Sequence, residues 1–166
     1  MIGDYTANDI VAISIARVWL SVTNAAPVRH RGEDGGSAMR WVAVILAAVF
    51  LGNGAFMLVS PKDWFAAIPG VAETGPYNSH LVRDVGIAYG VAGLATLWGA
   101  FGGGWRCYAL ALAFIGAHAV LHVIETLSGH AHAAHHGPTL LNDVAGIYVP
   151  AAGLLWLTIR ARQMNP

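Results

Sequence analysis

Apolar residues dominate four stretches of this chain. Each is about as long as the ~20 mostly apolar residues that a helix needs to cross a bilayer. Only helices and closed barrels satisfy the backbone in lipid, and these stretches lack the alternation of barrel strands. The pattern therefore predicts an all-α integral membrane protein with a four-helix transmembrane bundle. The predicted spans are residues 41–59, 79–101, 105–127 and 140–159.

Glycine and proline residues mark the ends of these spans. A Ser-Pro pair at 60–61 ends the first span, and Gly-Pro pairs at 75–76 and 137–138 precede the second and fourth. Three glycines at 102–104 predict a tight connection between the second and third spans. Pro150 lies inside the fourth span and predicts a kink there, because proline removes a backbone donor from a helix.

Residues 1–38 predict a different kind of segment, separate from the membrane domain at 39–166. Its apolar part, residues 9–22, is too short to span and carries a polar stripe at helical spacing. This favours an amphipathic helix lying in the membrane interface. Met39, just before the first span, is also typical of a translation start, which would make the extension dispensable. The polar stripe is Ser14, Arg17 and Ser21.

Composition supports a membrane protein. Of the 166 residues, 56% are hydrophobic and 11% charged, against roughly 25% charged in a typical soluble domain. The mean hydropathy is +0.55, and a soluble domain of this size has too small a core to bury so much apolar surface. Nine basic residues balance nine acidic ones, so the chain is not a nucleic-acid binder that relies on net positive charge. The single Cys107 excludes an internal disulfide.

Basic residues near the span ends predict the orientation. Cytoplasmic ends of membrane helices are enriched in arginine and lysine. The side with both termini carries six arginines, whereas the other side has only Lys62 and Arg83. We therefore expect a multi-pass protein of a bacterial cytoplasmic (inner) membrane, with both termini in the cytoplasm. The six arginines are Arg29, Arg31, Arg40, Arg106, Arg160 and Arg162.

Polar residues of all four spans fall at similar depth, in the outer half of the predicted bundle. Ionisable groups in a membrane are costly and usually face the bundle interior or a wet cavity. We therefore expect one polar cluster between the helices, to which Asn53 and Asn142 would also contribute. Its candidate metal ligands are His80, Asp84, His118, His122, Glu125 and Asp143.

This ligand chemistry predicts a transition-metal site. Neutral imidazole is the commonest metal ligand, and carboxylates complete sites for copper, iron or zinc. His118 and His122 are four residues apart, so they share a helix face, and Glu125 follows on the same arc. An open coordination position would make the protein a metal-dependent oxidoreductase or hydrolase acting on a small or lipidic molecule. The substrate is not predicted.

Two other interpretations remain open. In one, a pair of histidines, His80 with His118 or His122, holds haem b for electron transfer, and Arg83 lies beside a propionate. In the other, the same groups form a polar network or proton relay in a non-enzymatic membrane protein. The four histidines of the outer loop favour a solvated connection over a metal-gathering lid; they are His130, His132, His135 and His136.

Small residues in the second span indicate close helix packing. Gly86, Gly90 and Gly93 lie near one side of that helix. They would serve either a homodimer interface or packing within the bundle.

Residues 77–86 read Tyr-Asn-Ser-His-Leu-Val-Arg-Asp-Val-Gly. With the later His118 and His122, this stretch resembles a group of uncharacterised small bacterial four-span membrane proteins, which show Tyr-Asn-x-His-x-x-Arg-Asp-x-Gly and a later His-x-x-x-His. The resemblance covers roughly residues 39–160. It implies a four-span fold and points to His80, Arg83 and Asp84 without implying an activity.

Overall fold

The computed structural model describes residues 33–73, 75–128 and 143–164. The predicted interfacial helix of the N-terminal segment, Asn142 and the four loop histidines lie outside these residues. All regular structure in the described part of the chain is helical.

Four long helices carry the predicted spans, and a short helix follows the first. The stretches long and apolar enough to cross a membrane are Gly36–Val59, Ser79–Gly103, Trp105–Leu127 and Val144–Met164. The prediction of four such helices is confirmed. The helices are α1 (Glu33–Val59), α2 (Pro61–Ala67), α3 (Ser79–Trp98), α4 (Trp105–Leu127) and α5 (Val149–Met164).

Local sequence explains where these helices begin and end. Ser60 separates α1 from α2, and Pro61 takes the first position of α2, where its missing N–H costs nothing. Asn78 caps α3: its Oδ1 accepts hydrogen bonds from the backbone N–H groups of His80 (3.0 Å) and Leu81 (3.2 Å).

The connection between α3 and α4 is as short as the three glycines predict. A π-helical turn, Gly99–Gly103, ends α3, and Gly104 leads directly into α4. The φ angles of Gly102 and Gly104 are +118° and +74°, a region that side chains with a Cβ rarely adopt. Both positions therefore require glycine.

Helices α1 and α3 approach each other closely through glycine. A Cβ added at Gly54 would lie 2.7 Å from the carbonyl oxygen of Gly86 and 3.0 Å from the amide nitrogen of Gly90. A Cβ added at Gly93 would lie 2.7 Å from the Cγ of Leu51. The small-residue side of the second span thus packs against α1 within the chain.

The bundle follows the order of the chain. Helix α1 packs on α3, α3 on α4, α4 on α5, and α5 returns to α1, where Gly153 faces Leu46. Large apolar side chains such as Ile45, Leu94 and Leu110 remain exposed on the outside, as expected where lipid covers a helix. The largest fully buried side chains are Tyr108, Phe50, Met57, Ile115, Leu154 and Leu157.

Candidate functional site

The two ends of the bundle differ in chemistry. One end of the bundle holds the start of α1, the connection between α3 and α4, and the end of α5. Four exposed arginines lie at this end, which we call the arginine end. The opposite end holds α2, the start of α3, the end of α4 and the start of the fourth span. All seven candidate site residues lie in this half, which we call the polar end. The four arginines are Arg40, Arg106, Arg160 and Arg162.

His118, His122 and Asp143 come together at the polar end. The rings of His118 and His122, one helical turn apart on α4, lie edge to face with their centroids 4.7 Å apart. The Nδ1 of His122 lies 3.7 Å from the Oδ2 of Asp143, at the start of the fourth span. The side chains of His122 and Asp143 are only 27% and 18% exposed. Two helices thus deliver two imidazoles and a carboxylate to one partly buried place.

Aromatic rings enclose the inner side of this group. Phe114, one turn before His118, stacks on the His118 ring with an interplanar angle of 13°. Tyr89 of α3 meets the rings of both His118 and Phe114 edge to face, at centroid distances of 6.4 Å and 5.4 Å. Tyr89 also lies against Phe50 of α1. The floor of the candidate site is therefore apolar and is built from three helices.

His80, Arg83 and Asp84 form a separate group on the surface of α3. The Nε2 of His80 lies 3.5 Å from the Oδ2 of Asp84, and the two side chains are 88% and 55% exposed. The Nε–H of Arg83 donates to the backbone oxygen of Leu58, near the end of α1, at 3.4 Å. Among the described residues, the recorded contacts do not join these three side chains to His118 or His122.

Glu125 is exposed, and among the described side chains no hydrogen bond or ion pair joins its carboxylate to His118 or His122. It lies on the exposed side of the last turns of α4, where its backbone oxygen accepts a hydrogen bond from the Oγ of Ser128. The Oγ1 of Thr126 in turn donates to the backbone oxygen of His122 at 2.8 Å. Glu125 and His122 lie on the same side of α4, but only His122 reaches Asp143.

Asn53 has a partner that the sequence did not suggest. The indole N–H of Trp64 donates to its Oδ1 at 2.9 Å, in a part-buried position. Asn53 therefore fastens α2 to α1, although its depth suggested a place in the cluster. The position of Trp64 just beyond the end of the first span, within reach of the part-buried amide of Asn53, is the sequence feature that could have predicted this contact.

The fourth span begins with an irregular turn, directly after Asp143. Residues Val144–Tyr148 form a π-helical turn, and the N–H of Val149 donates to the oxygen of Val144. The next residue, Pro150, has no N–H and therefore cannot donate the α-helical hydrogen bond to the residue four positions earlier. Pro150, which was expected to kink the span, thus directly follows the π-helical turn and Val149. Such turns often occur at functional sites.

Within the described ranges, no three His, Cys, Asp or Glu side chains already surround one point in the manner of metal ligands. A metal at His118, His122 and Asp143 would therefore require rotation of these side chains.

Comparison with known proteins does not assign this chain to a family. No protein-family model matches this chain, and no curated protein and no solved structure matches it significantly. The resemblance to small four-span membrane proteins stays a prediction.

Proposed function

We propose that this multi-pass membrane protein binds a divalent transition-metal ion through His118, His122 and Asp143. The observation that supports it is the convergence of these three side chains from two helices in a partly buried place. Imidazole and carboxylate are suitable ligands for zinc, iron or copper. The apolar floor at Phe114 and Tyr89 would limit the access of water from below.

The spacing of His122 and Asp143 suits a shared metal better than a direct hydrogen bond. Their nearest atoms are 3.7 Å apart, beyond the usual 2.7–3.2 Å of a hydrogen bond. Two ligands of one tetrahedral zinc, with bonds of 2.0–2.1 Å, lie about 3.3 Å apart. A shift of a few tenths of an ångström would therefore let both atoms reach one ion.

His118 would supply the third ligand. Two histidines four residues apart on a helix are the arrangement with which many zinc enzymes hold their metal. In this structure the His118 ring stands edge to face with His122, so it must turn about its side-chain bonds to reach the ion. Three protein ligands would leave a position for water, as in catalytic metal sites.

Elemental analysis of the full chain, purified with a tag free of histidine, tests this proposal. After loading with Zn²⁺, Cu²⁺ or Fe²⁺ and removal of free metal, we expect close to one ion per chain. His118→Ala and His122→Ala should each lose most of it. His80→Ala, an exposed histidine at the same end, should keep it. A further control replaces all four loop histidines by alanine and should also keep the metal.

The alternatives have distinct outcomes. A Soret band in the absorption spectrum of the same sample would indicate haem b. Folded wild-type protein that retains no metal would reject the metal site and leave the polar network. Equal loss of metal in His80→Ala and His122→Ala would show that binding is not specific to the proposed ligands.

We also propose that the arginine end faces the cytoplasm of a bacterial inner membrane. Its support is the charge asymmetry: Arg40, Arg106, Arg160 and Arg162 lie at this end, against Lys62 and Arg83 at the other. Labelling with a membrane-impermeant maleimide tests it in a Cys107→Ala background. Lys62→Cys should react in intact spheroplasts and Met164→Cys only after lysis. The reverse pattern would invert the proposed topology.

A further inference from the structure

The arginine end of the bundle places two guanidinium groups on one indole ring. The Cζ of Arg106, on α4, lies 5.2 Å from the centroid of the Trp105 ring. The Cζ of Arg162, on α5, lies 5.4 Å from the same centroid. Phe101 lies four residues before Trp105, and the Cζ of Arg40, on α1, lies 4.5 Å from the centroid of its ring. Three helices therefore present cationic groups next to aromatic rings at one level of the bundle.

Carboxylates do not balance this charge among the described side chains. The acidic side chains that the structure describes all lie at the polar end, and both recorded ion pairs join an aspartate to a histidine there. A cation–π contact offsets only part of the repulsion between two nearby cations, since it is worth about 0.5–1 kcal/mol at an exposed site. Both guanidinium groups lie within 5.4 Å of one ring centroid, and an anion that reaches both of them would offset the rest. The acidic side chains are Asp63, Asp84, Glu125 and Asp143.

The start of α4 favours an anion at the same place. Trp105 and Arg106 are the first two residues of this 23-residue helix. Backbone N–H groups and the positive end of the helix dipole both favour a negative group near a helix N-terminus. This contribution adds to the two guanidinium groups and would be weak without them.

We infer that Trp105, Arg106 and Arg162 bind the phosphodiester headgroup of an anionic phospholipid. Arginine matches phosphate oxygens with paired donors, and tryptophan near the end of a span lies at the level of the headgroups. Phe101, on the connection beside this group, is 60% exposed and offers apolar surface to an acyl chain. Charge beside exposed aromatic surface suits a lipid better than a free inorganic ion. This inference does not depend on the metal site.

Lipid binding by the full chain in detergent tests the inference by native mass spectrometry. Phosphatidylglycerol and phosphatidylcholine with the same acyl chains are offered in equal amounts. We expect wild-type protein to retain phosphatidylglycerol preferentially. Diffuse attraction of an anionic lipid is worth about fivefold per basic residue, so two arginines without a site would account for about 25-fold, and Arg106→Gln with Arg162→Gln should lower the preference by more than that. Arg162→Gln alone tests the same group if the double variant does not fold.

Arg160→Gln is the matched control. Arg160 is an exposed arginine on α5, two residues before Arg162, and it is not among the three arginines that cover an aromatic ring in the described part of the chain. We expect this variant to lose no more than the roughly fivefold that diffuse attraction gives, and clearly less than Arg162→Gln loses. An equal effect of Arg160→Gln and Arg162→Gln would overturn the inference, because attraction would then be diffuse. The inference also fails if inorganic phosphate displaces the bound lipid at millimolar concentration, since the group would then recognise free phosphate.

Discussion

The indole N–H of Trp64 donates to the Oδ1 of Asn53 across eleven residues, at 2.9 Å. This bond holds the short helix α2 against the end of α1. Phe65, the next residue, meets the ring of Tyr77 at a centroid distance of 5.4 Å. The Trp64 bond therefore ties the start of the connection to α1, and the Phe65–Tyr77 contact joins the two ends of the connection to each other.

Loss of the Asn53–Trp64 hydrogen bond should destabilise the protein measurably. Asn53→Ala leaves the Trp64 N–H without its partner, and we expect unfolding to become easier by about 1–2 kcal/mol. Dodecyl sulfate titration in mild detergent, followed by circular dichroism, measures the change. Trp64→Phe and the double variant complete a mutant cycle. A coupling energy near zero would mean that the bond does not hold α2 in place.

Glycine at position 54 should be far harder to replace than glycine at position 52. A Cβ at Gly54 would meet backbone atoms of Gly86 and Gly90, which cannot move aside like a flexible side chain. We expect Gly54→Ala to cost about 1–3 kcal/mol of stability. At Gly52 an added Cβ has nothing within 4 Å, so Gly52→Ala should leave stability unchanged or slightly higher. Similar losses in both variants, in the same titration, would contradict the packing of α1 on α3.

Removal of Pro150 should impair metal binding more than folding. In Pro150→Ala the new N–H can bond to the oxygen of Gly146, which favours a regular α-helix over the π-turn. A change of this turn from i→i−5 to i→i−4 hydrogen bonds would rotate Asp143 by about 100° around the helix axis, away from His122. We expect less metal per chain at equal or higher stability. Pro61→Ala, at the start of α2, should leave the metal content unchanged.

Chelation should lower the melting temperature of the metal-loaded protein. A metal present at about 100 times its dissociation constant stabilises the folded state by about 2.7 kcal/mol, and EDTA would remove this contribution. His122→Ala should melt at the same temperature with and without EDTA. Asp143→Asn, which keeps the size of the side chain and loses its charge, should show a reduced shift. An EDTA effect of wild-type size in His122→Ala would place the metal elsewhere.

The fold followed from the sequence because length and apolar composition suffice to identify a membrane-spanning helix. The spacing of glycines also predicted that another helix packs closely on the second span. The structure shows α1 in this place, with Gly54 against Gly86 and Leu51 against Gly93. The fourth span was expected to bend at Pro150, and the structure has a π-turn just before this residue. Periodicity cannot distinguish these two ways of accommodating a proline.

The candidate site was harder to predict, because position along a helix gives depth but not direction. His80 and Asp84 share a helix face, and that face is turned outward. Asn53 lies at about the same depth along the bundle as the predicted polar cluster, but its side chain accepts a hydrogen bond from Trp64. His122 and Asp143 do meet, because the end of α4 and the start of the fourth span lie at the same end of neighbouring helices.

The glycine turn between α3 and α4 also constrains how the chain enters the membrane. With Gly102 and Gly104 in backbone conformations reserved for glycine, the two helices are joined almost without slack. A connection this short keeps the two apolar segments close together as soon as both are synthesised, which favours their joint entry into the lipid. The second and third spans should therefore partition into the lipid as a single helical hairpin.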